Sequence, residues 1–166
     1  MRIISGKYKG HPLIAFNADH IRPTTDRVKE TLFNKLMFDI EGQRVVDLFA
    51  GTGNLGIEAL SRGARNVVFV EKHPKSIEIL RKNIEKLKIP ANDYSVVCAD
   101  VLSYLNSYQQ EPFDIILADP PFTEKMAHKV MESASKSPAF GAQTLMTIES
   151  QRRERMDDLY GDIERY

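Results

Sequence analysis

The stretch "VVDLFAGTGNLG", residues 45–56, decides the fold of this chain. Its first half is a short apolar run typical of a buried strand, and Gly51, Gly53 and Gly56 then match the G-x-G-x-x-G pattern of a nucleotide-binding turn. In that pattern, the glycines let the backbone turn tightly against a ligand where a helix begins. Because any tight turn from strand to helix tolerates glycine, the flanking sequence must supply further support.

Short apolar runs alternate with helix-forming segments along the rest of the chain. Since the links are short, the alternation predicts a mostly parallel sheet with helices on both faces, an α/β fold of the Rossmann-like kind. The predicted buried strands are 44–50, 66–71, 94–99, 113–119 and 144–150, and the predicted helices are 54–62, 74–88, 100–108 and 124–136.

The first 43 residues follow a different pattern. "RIISGKYKGHPLIAF" (2–16) predicts a β-hairpin, and "RPTTDRVKETLFNKLM" (22–37) predicts a helix that Pro23 introduces and Thr24 or Thr25 caps. We interpret residues 1–43 as an appendage of the domain formed by residues 44–166. The whole chain of 166 residues is then a single domain.

The composition is that of an ordinary soluble protein, with 42% hydrophobic residues, 28% charged residues and a formal net charge of zero. The start of the chain is too polar for a signal peptide, and one cysteine excludes an internal disulfide, so we expect a cytoplasmic protein away from membranes. Residues 1–35 hold seven Lys and Arg against three acids. This balance indicates a polyanion near the N-terminus, although chance clustering on a solvated surface explains it equally well.

Acidic residues at three predicted strand ends indicate the charge of the cofactor. Asp47 would repel the pyrophosphate of a dinucleotide, whereas it suits S-adenosylmethionine, which carries a sulfonium and an ammonium group. Glu71 can accept hydrogen bonds from ribose hydroxyls, and Asp100 can accept the adenine amino group. Two alternatives stay open, since Asp47 could cap the turn and Asp100 could cap the helix over 101–108.

The segment Asp119-Pro120-Pro121-Phe122 follows the fourth predicted strand. Prolines lack an N–H, so the Asp119 carboxylate and the Pro120 carbonyl form a cluster of acceptors. Acceptors that hold both hydrogens of an exocyclic base amine aim its lone pair at a methyl donor, and Asp119 can take up the released proton. Phe122 would stack on a base splayed out of its helix. Alternatively, the prolines simply end the strand and Phe122 packs.

Four segments together resemble a known family, the bacterial small-subunit (16S) ribosomal RNA guanine-N2 methyltransferases of the RsmD type. They are "RIISGKYKG" (2–10), "RPTTDRVKETLFN" (22–34), "DLFAGTGNLGIEALSRGA" (47–64) and "DPPF" (119–122), and the resemblance runs to about residue 150. It implies a class I S-adenosylmethionine-dependent methyltransferase sheet of seven strands in the order 3-2-1-4-5-7-6. It also implies methyl transfer to guanine N2. Family members usually end in a further pair of strands, which "RRERMDDLYGDIERY" (152–166) predicts to be partial or missing.

The resemblance also assigns the site residues. It places the base at Asp119, Pro120, Pro121 and Phe122, which we predict to be catalytic. Thr24 and Thr25 resemble the family segment that closes over the cofactor from the N-terminal side. The predicted cofactor-binding residues are Asp47, Phe49, Gly51, Gly53, Glu71, Lys72, Asp100, Val101, Thr24 and Thr25.

The predicted RNA contacts are Arg2, Lys7, Lys9 and Arg22, which would bind phosphates without choosing the base. The expected partner is ribosomal RNA, and ribosomal proteins of an assembling subunit would help a small monomeric enzyme to define its target. The four histidines show no ligand spacing, so we predict no metal site. Cys98 lies in an apolar strand, so we interpret it as a core residue and not as a nucleophile.

Three other functions stay open. An adenine-N6 methyltransferase shares the chemistry of the Asp119–Phe122 segment but usually carries a large target-recognition insert. A nicotinamide-dependent oxidoreductase is opposed by Asp47. An RNA-binding module without activity is opposed by the presence of all four acids: Asp47, Glu71, Asp100 and Asp119.

Overall fold

A computed structural model describes residues 1–15, 26–36, 39–123, 125–150 and 156–164. Within these ranges the helices are α1 (Asp26–Lys35), α2 (Asn54–Ser61), α3 (Pro74–Lys86), α4 (Val101–Ser107) and α5 (Met126–Lys136), and a 3₁₀ turn covers Ala91–Asp93. The strands are β1 (Arg44–Leu48), β2 (Asn66–Glu71), β3 (Tyr94–Cys98), β4 (Ile115–Ala118), β5 (Leu145–Ile148), β6 (Leu159–Tyr160) and β7 (Ile163–Glu164).

A five-stranded sheet in the order β3-β2-β1-β4-β5 forms the centre of the protein. All four strand pairs are parallel, and the helices between them cross over to both faces. The Rossmann-like α/β prediction is therefore confirmed. β1 is the middle strand of the sheet. The glycine turn that follows β1 therefore lies at the centre of the sheet's carboxyl edge.

The middle and edge strands differ in burial. Strands β1, β2 and β4 are almost entirely buried, whereas β3 and β5 are only partly buried because each has a single neighbour in the sheet. The expectation of five buried strands is wrong for these two edges. It is also wrong for Cys98, which is exposed at the end of β3 and is not a core residue.

Each face of the sheet carries its own hydrophobic core. On one face, Phe33 of α1, Ile57 of α2 and Leu80 of α3 pack with Phe69 of β2. On the other face, Leu105 of α4 and Val130 of α5 pack with Leu48, Val70 and Ile116 of the sheet. None of the helices in the described ranges is long and apolar enough to cross a membrane.

The first residues form a compact antiparallel segment that packs on α2. Its β pairing is the isolated bridge between Arg2 and Pro12, so the predicted hairpin is present in a shortened form. Lys7 N–H donates to the Ser61 carbonyl oxygen at 2.7 Å, and a Cβ on Gly6, whose φ is +82°, would lie 1.8 Å from that same oxygen. Glycine is therefore required at position 6 for this close approach.

The C-terminal strands β6 and β7 pair with each other, in a sheet separate from the central one. The ring nitrogen Nδ1 of His128 on α5 shares a hydrogen bond with the Tyr160 hydroxyl, which fastens this small hairpin to the domain. The seven-strand sheet implied by the resemblance is thus not formed by the described strands. The expected partial ending is observed, because each of the two strands has only two residues.

Candidate functional site

The glycine turn connects β1 to α2 as the sequence predicts. It passes through the left-handed region at Phe49 (φ 64°), Gly51 (φ 55°) and Gly53 (φ 91°). Phe49 carries a side chain in a conformation that favours glycine, which indicates local strain of the kind found at ligand sites. A Cβ at Gly53 would lie 2.4 Å from Leu80 Cδ1, because α3 packs directly against the turn at this position.

Glu71 fixes the turn from the neighbouring strand. Its side chain is buried at the end of β2, where Oε2 accepts the Gly51 N–H at 2.8 Å and Oε1 accepts the His73 N–H at 2.8 Å. Both carboxylate oxygens therefore have a backbone donor. The predicted ribose contacts would use the remaining lone pairs of the same oxygens.

Asp47 is 1% exposed and contributes its Oδ2 to the start of α2, where it accepts the Gly56 N–H at 2.8 Å. This is the capping alternative for Asp47, realised by one oxygen of the carboxylate. The pKa of Asp47 is raised to about 8, mainly because the carboxyl group is buried; the Gly56 N–H opposes this shift, and the charges of Asp119 and Glu71 add to it.

The register of β1 with β2 and β4 places Glu71 and Asp119 on either side of the residue that follows β1, so both carboxyl groups lie near Asp47 at the centre of the carboxyl edge. With a pKa of about 8, Asp47 holds a proton at neutral pH; a cationic ligand would favour its ionised form beside Glu71 and Asp119, whereas a pyrophosphate would add negative charge to the same edge. The carboxyl groups around the turn therefore fit a positively charged nucleoside. They do not fit a dinucleotide.

Asp100 forms the N-cap of α4, which is the second alternative left open by the sequence. Its Oδ1 accepts the Ser103 N–H at 3.1 Å, and its side chain is exposed two positions after β3. Lys72, which follows β2, is exposed, whereas Val101, the first residue of α4, is buried. Thr24, Thr25 and Arg22 lie outside the described residues.

A cleft of about 390 Å³ lies between α1 and the ends of β4 and β5, and Asp119 lines it. Pro120 is buried, whereas Pro121 and Phe122 are exposed. Phe122 keeps 47% of its surface exposed, so its ring is not a core residue at this edge. The residues lining the cleft are Arg27, Val28, Thr31, Leu32, Lys35, Leu55, Ala118, Asp119, Thr147, Ile148 and Glu149.

The structure adds the body of α1 to the site, whereas the sequence assigned only Thr24 and Thr25 at the predicted start of this helix. Lys29 anchors this helix from its buried side: its Nζ lies 3.1 Å from Glu58 Oε2 and donates to Asn54 Oδ1 at 2.9 Å. Asn54 is the first residue of α2, directly after the glycine turn. A lysine at a position facing the core was the available signal, because buried lysines need a partner.

Asn83 of α3 is a second residue that the sequence did not single out. Its Nδ2 donates to the carbonyl oxygens of Thr52 at 2.9 Å and Ile14 at 3.0 Å, and its Oδ1 accepts the Ile14 N–H at 2.7 Å. It therefore links the glycine turn to the end of the N-terminal segment. The signal was an amide within the apolar stripe that holds Leu80 and Ile84.

The predicted RNA contacts that are described lie on the N-terminal segment. Arg2, Lys7 and Lys9 are exposed, and Arg2 Nε is 3.2 Å from Asp26 Oδ2 at the start of α1. Across the described ranges, no group of three His, Cys, Asp or Glu side chains is arranged to hold a metal ion.

Comparisons with known proteins identify relatives of this chain. The sequence model of the family described as "Conserved hypothetical protein 95" matches residues 1–166. "Ribosomal RNA small subunit methyltransferase D" of Haemophilus influenzae is 37% identical over 153 residues, which cover 92% of this chain and 79% of that protein. The protein of the same name from Escherichia coli strain K12 is 35% identical over 151 residues, or 91% of this chain and 75% of that one.

Solved structures share the fold. The yhhF structure from Escherichia coli superposes with a TM-score of 0.83 at 34% identity, covering 95% of this chain and 84% of that one. Precorrin-6y C5,15-methyltransferase from Geobacter metallireducens superposes with a TM-score of 0.61 at 16% identity, covering 81% of this chain and 66% of that one. At that identity the likeness concerns the fold alone, which is the class I methyltransferase fold.

Proposed function

This chain belongs to the family of the small-subunit ribosomal RNA methyltransferases D, and we propose that it transfers a methyl group from S-adenosylmethionine to the exocyclic N2 amine of a guanine in small-subunit ribosomal RNA. The observation that carries the proposal is the position of Asp119. It directly follows β4, beside the central strand β1, and it lines the cleft. Its charge also raises the pKa of Asp47. The Asp119 carboxylate, which can accept a hydrogen bond from an amine, therefore lies between the cleft proposed for the base and the glycine turn proposed for the cofactor.

The turn side of the site supplies the cofactor contacts. The backbone at Gly51 and Gly53 allows close approach of a nucleoside, and Glu71 at the end of β2 is placed for its ribose. Asp100 at the end of β3 is exposed and available to the adenine amine. When bound, S-adenosylmethionine would supply an electrophilic methyl group and a positive charge, which favours the ionised form of the buried Asp47.

The cleft side supplies the base contacts. Asp119 and the Pro120 carbonyl accept the two hydrogens of the guanine amine, which directs the nitrogen lone pair toward the turn. The nitrogen would gain the methyl group as the carbon–sulfur bond of the sulfonium breaks and leaves a neutral thioether. The nitrogen also loses one proton, which the Asp119 carboxylate accepts. These acceptors act more strongly as positive charge develops on the nitrogen, so they lower the barrier. The exposed ring of Phe122 stacks on the base.

The test is transfer of tritiated methyl groups to unmodified small-subunit ribosomal RNA, both free and in partly assembled particles, followed by nucleoside mapping. We expect N2-methylguanosine. Methyladenosine, or RNA without any label on both substrates, would overturn the proposal. Comparison of the two substrates also reveals whether ribosomal proteins help to define the target.

A variant separates the role of Asp119 from cofactor binding. Asp119→Ala is expected to lower transfer by at least about 100-fold, because both alignment and proton transfer depend on it, while S-adenosylmethionine affinity changes little. Asp162→Ala, in the exposed turn between β6 and β7, is the matched control. Activity of Asp119→Ala close to that of the control would contradict the assigned role.

A further inference from the structure

Glu149 lies beside Asp119 at the carboxyl edge of the sheet. Strand β5 pairs with β4 so that Ile148 is in register with Ala118, and the Glu149 N–H donates to the Ala118 carbonyl oxygen at 2.9 Å. Asp119 and Glu149 are thus the next residues of two adjacent parallel strands, and both line the cleft. Two carboxylates therefore stand next to each other on the sheet side.

The helix side of the cleft carries the opposite charge. Arg27 and Lys35 of α1 line it, together with the apolar surfaces of Val28 and Leu32. Arginine and lysine side chains only donate hydrogen bonds, whereas ionised carboxylates only accept them. The cleft therefore offers acceptors from the strand ends and donors from α1, with apolar surface between them for a planar ring.

This arrangement matches the Watson–Crick edge of guanine. Guanine presents two adjacent donors, the N2 amine and N1–H, next to the O6 acceptor, and flipped bases are read along this edge. Adenine presents an unprotonated N1, which is an acceptor. A carboxylate facing N1 would hydrogen-bond to guanine and repel adenine.

We propose that Glu149 selects guanine by accepting its N1–H while Asp119 holds the N2 amine. This inference rests on the proposed function and adds the residue that determines base specificity. The basic side chains of Arg27 and Lys35 on α1 then lie on the side of the cleft where O6 would be. A site built to hydrogen-bond a substrate N–H rejects an analogue lacking it by as much as about 10⁴–10⁵-fold, because the buried partner is left unsatisfied.

The discriminating substrate is RNA that carries 2,6-diaminopurine in place of the mapped guanine, introduced by ligation of a synthetic fragment. This base keeps the N2 amine but has an acceptor at N1 and an amine in place of O6. Wild-type enzyme should methylate guanine at least about 1,000-fold more efficiently, measured as kcat/KM. Equal efficiency on the two RNAs would overturn the inference without any variant being made.

The variant Glu149→Gln should change this preference. Its amide can donate to the N1 acceptor of diaminopurine, so activity on guanine should fall and the ratio of the two kcat/KM values should narrow by at least about 10-fold. Glu111→Gln removes the same charge from an exposed residue that precedes β4, at the opposite end of the sheet, and should leave the ratio unchanged. An unaltered ratio in folded Glu149→Gln contradicts the inference.

Failure of the inference differs from failure of the proposed function. If the wild type places no methyl on guanine N2, the proposed function fails. If it methylates guanine N2 but tolerates diaminopurine, or if Glu149→Gln keeps the guanine preference, only the role of Glu149 fails. Loss of stability in the variant would lower both kcat/KM values together and leave their ratio intact.

Discussion

Lys29 of α1 and Glu58 of α2 form a fully buried ion pair, with both side chains 0% exposed and Nζ 3.1 Å from Oε2. Burial lowers the pKa of Lys29, and the charge of Glu58 and its hydrogen bond oppose this shift. Glu58 also accepts the backbone N–H groups of Ile4 at 2.9 Å and Ser5 at 3.0 Å. The Glu58 carboxylate therefore connects α2, which begins at the glycine turn, to α1 and to the N-terminal segment.

Removing this lysine should destabilise the protein strongly. Lys29→Met leaves the Glu58 carboxylate buried with fewer partners, and such changes lower the free energy of unfolding by about 3–5 kcal/mol. Urea unfolding followed by circular dichroism measures the change. The control is Lys82→Met, which breaks the exposed Lys82–Glu78 pair on α3 and should leave the midpoint within error. Equal effects of the two variants would contradict a special role for the buried pair.

Gly56→Ala should destabilise the protein although alanine favours helices. Gly56 lies in α2, where the exchange usually stabilises by about 1 kcal/mol. Here the new Cβ would lie 2.3 Å from Phe69 Cε1 and 3.0 Å from Asp47 Oδ2, so overpacking should cost about 1–3 kcal/mol. A double-mutant cycle with Phe69→Leu checks the cause by thermal unfolding. The cost of Gly56→Ala should shrink when the ring is absent, and strictly additive effects would argue against the clash.

Asp47 should make stability fall as the pH rises. Its pKa is about 8 in the folded protein, and an aspartate in an unfolded chain titrates near about 4. Between these values the folded state holds a proton that the unfolded state has released, so stability is lost up to about pH 8 and then levels off. Urea midpoints from pH 5 to 8 should decline less steeply in Asp47→Asn than in the wild type or in Asp162→Asn. Parallel curves for all three proteins would exclude Asp47 as the source.

Glu71→Ala should weaken the binding of S-adenosylmethionine. The change leaves the N–H groups of Gly51 and His73 without their carboxylate acceptor and loosens the turn on which the nucleoside rests. We expect the Kd for S-adenosylmethionine, measured by calorimetric titration, to rise by about 10-fold or more. Glu71→Gln keeps an acceptor oxygen and should bind with intermediate affinity; an unchanged Kd in the alanine variant would remove Glu71 from the site.

The sequence predicts the central sheet well because its signals are local. The apolar runs, the glycine turn and the strand–helix alternation predict the five main strands and their parallel pairing, whereas their order in the sheet followed only from the family resemblance. Edge burial was missed, because whether Tyr94–Cys98 lies at an edge depends on strand order and not on its own apolar residues. Likewise, the exposure of Cys98 follows from its place at the end of an outer strand.

The candidate site was predictable where backbone geometry determines it and less so where distant side chains meet. The spacing of Asp47, Glu71 and Asp119 places them at neighbouring strand ends. Their exact partners depend on α2, whose first turn supplies the Gly56 N–H that Asp47 accepts. The contribution of α1 to the cleft depends on how Lys29 packs; its core-facing position signals burial, but the sequence does not show which residues of α2 it contacts.

The contacts of the N-terminal segment also determine when it can fold. Ile4, Ser5 and Tyr8 donate to Glu58 and Ser61, residues 53 or 54 positions further along the chain. A ribosome that adds about 5–20 residues per second makes these acceptors only several seconds after the donors. Residues 4–8 can therefore pack in their final position only after α2 has been synthesised. Folding of the N-terminal segment is thus coupled to the formation of α2, the helix that follows the glycine turn.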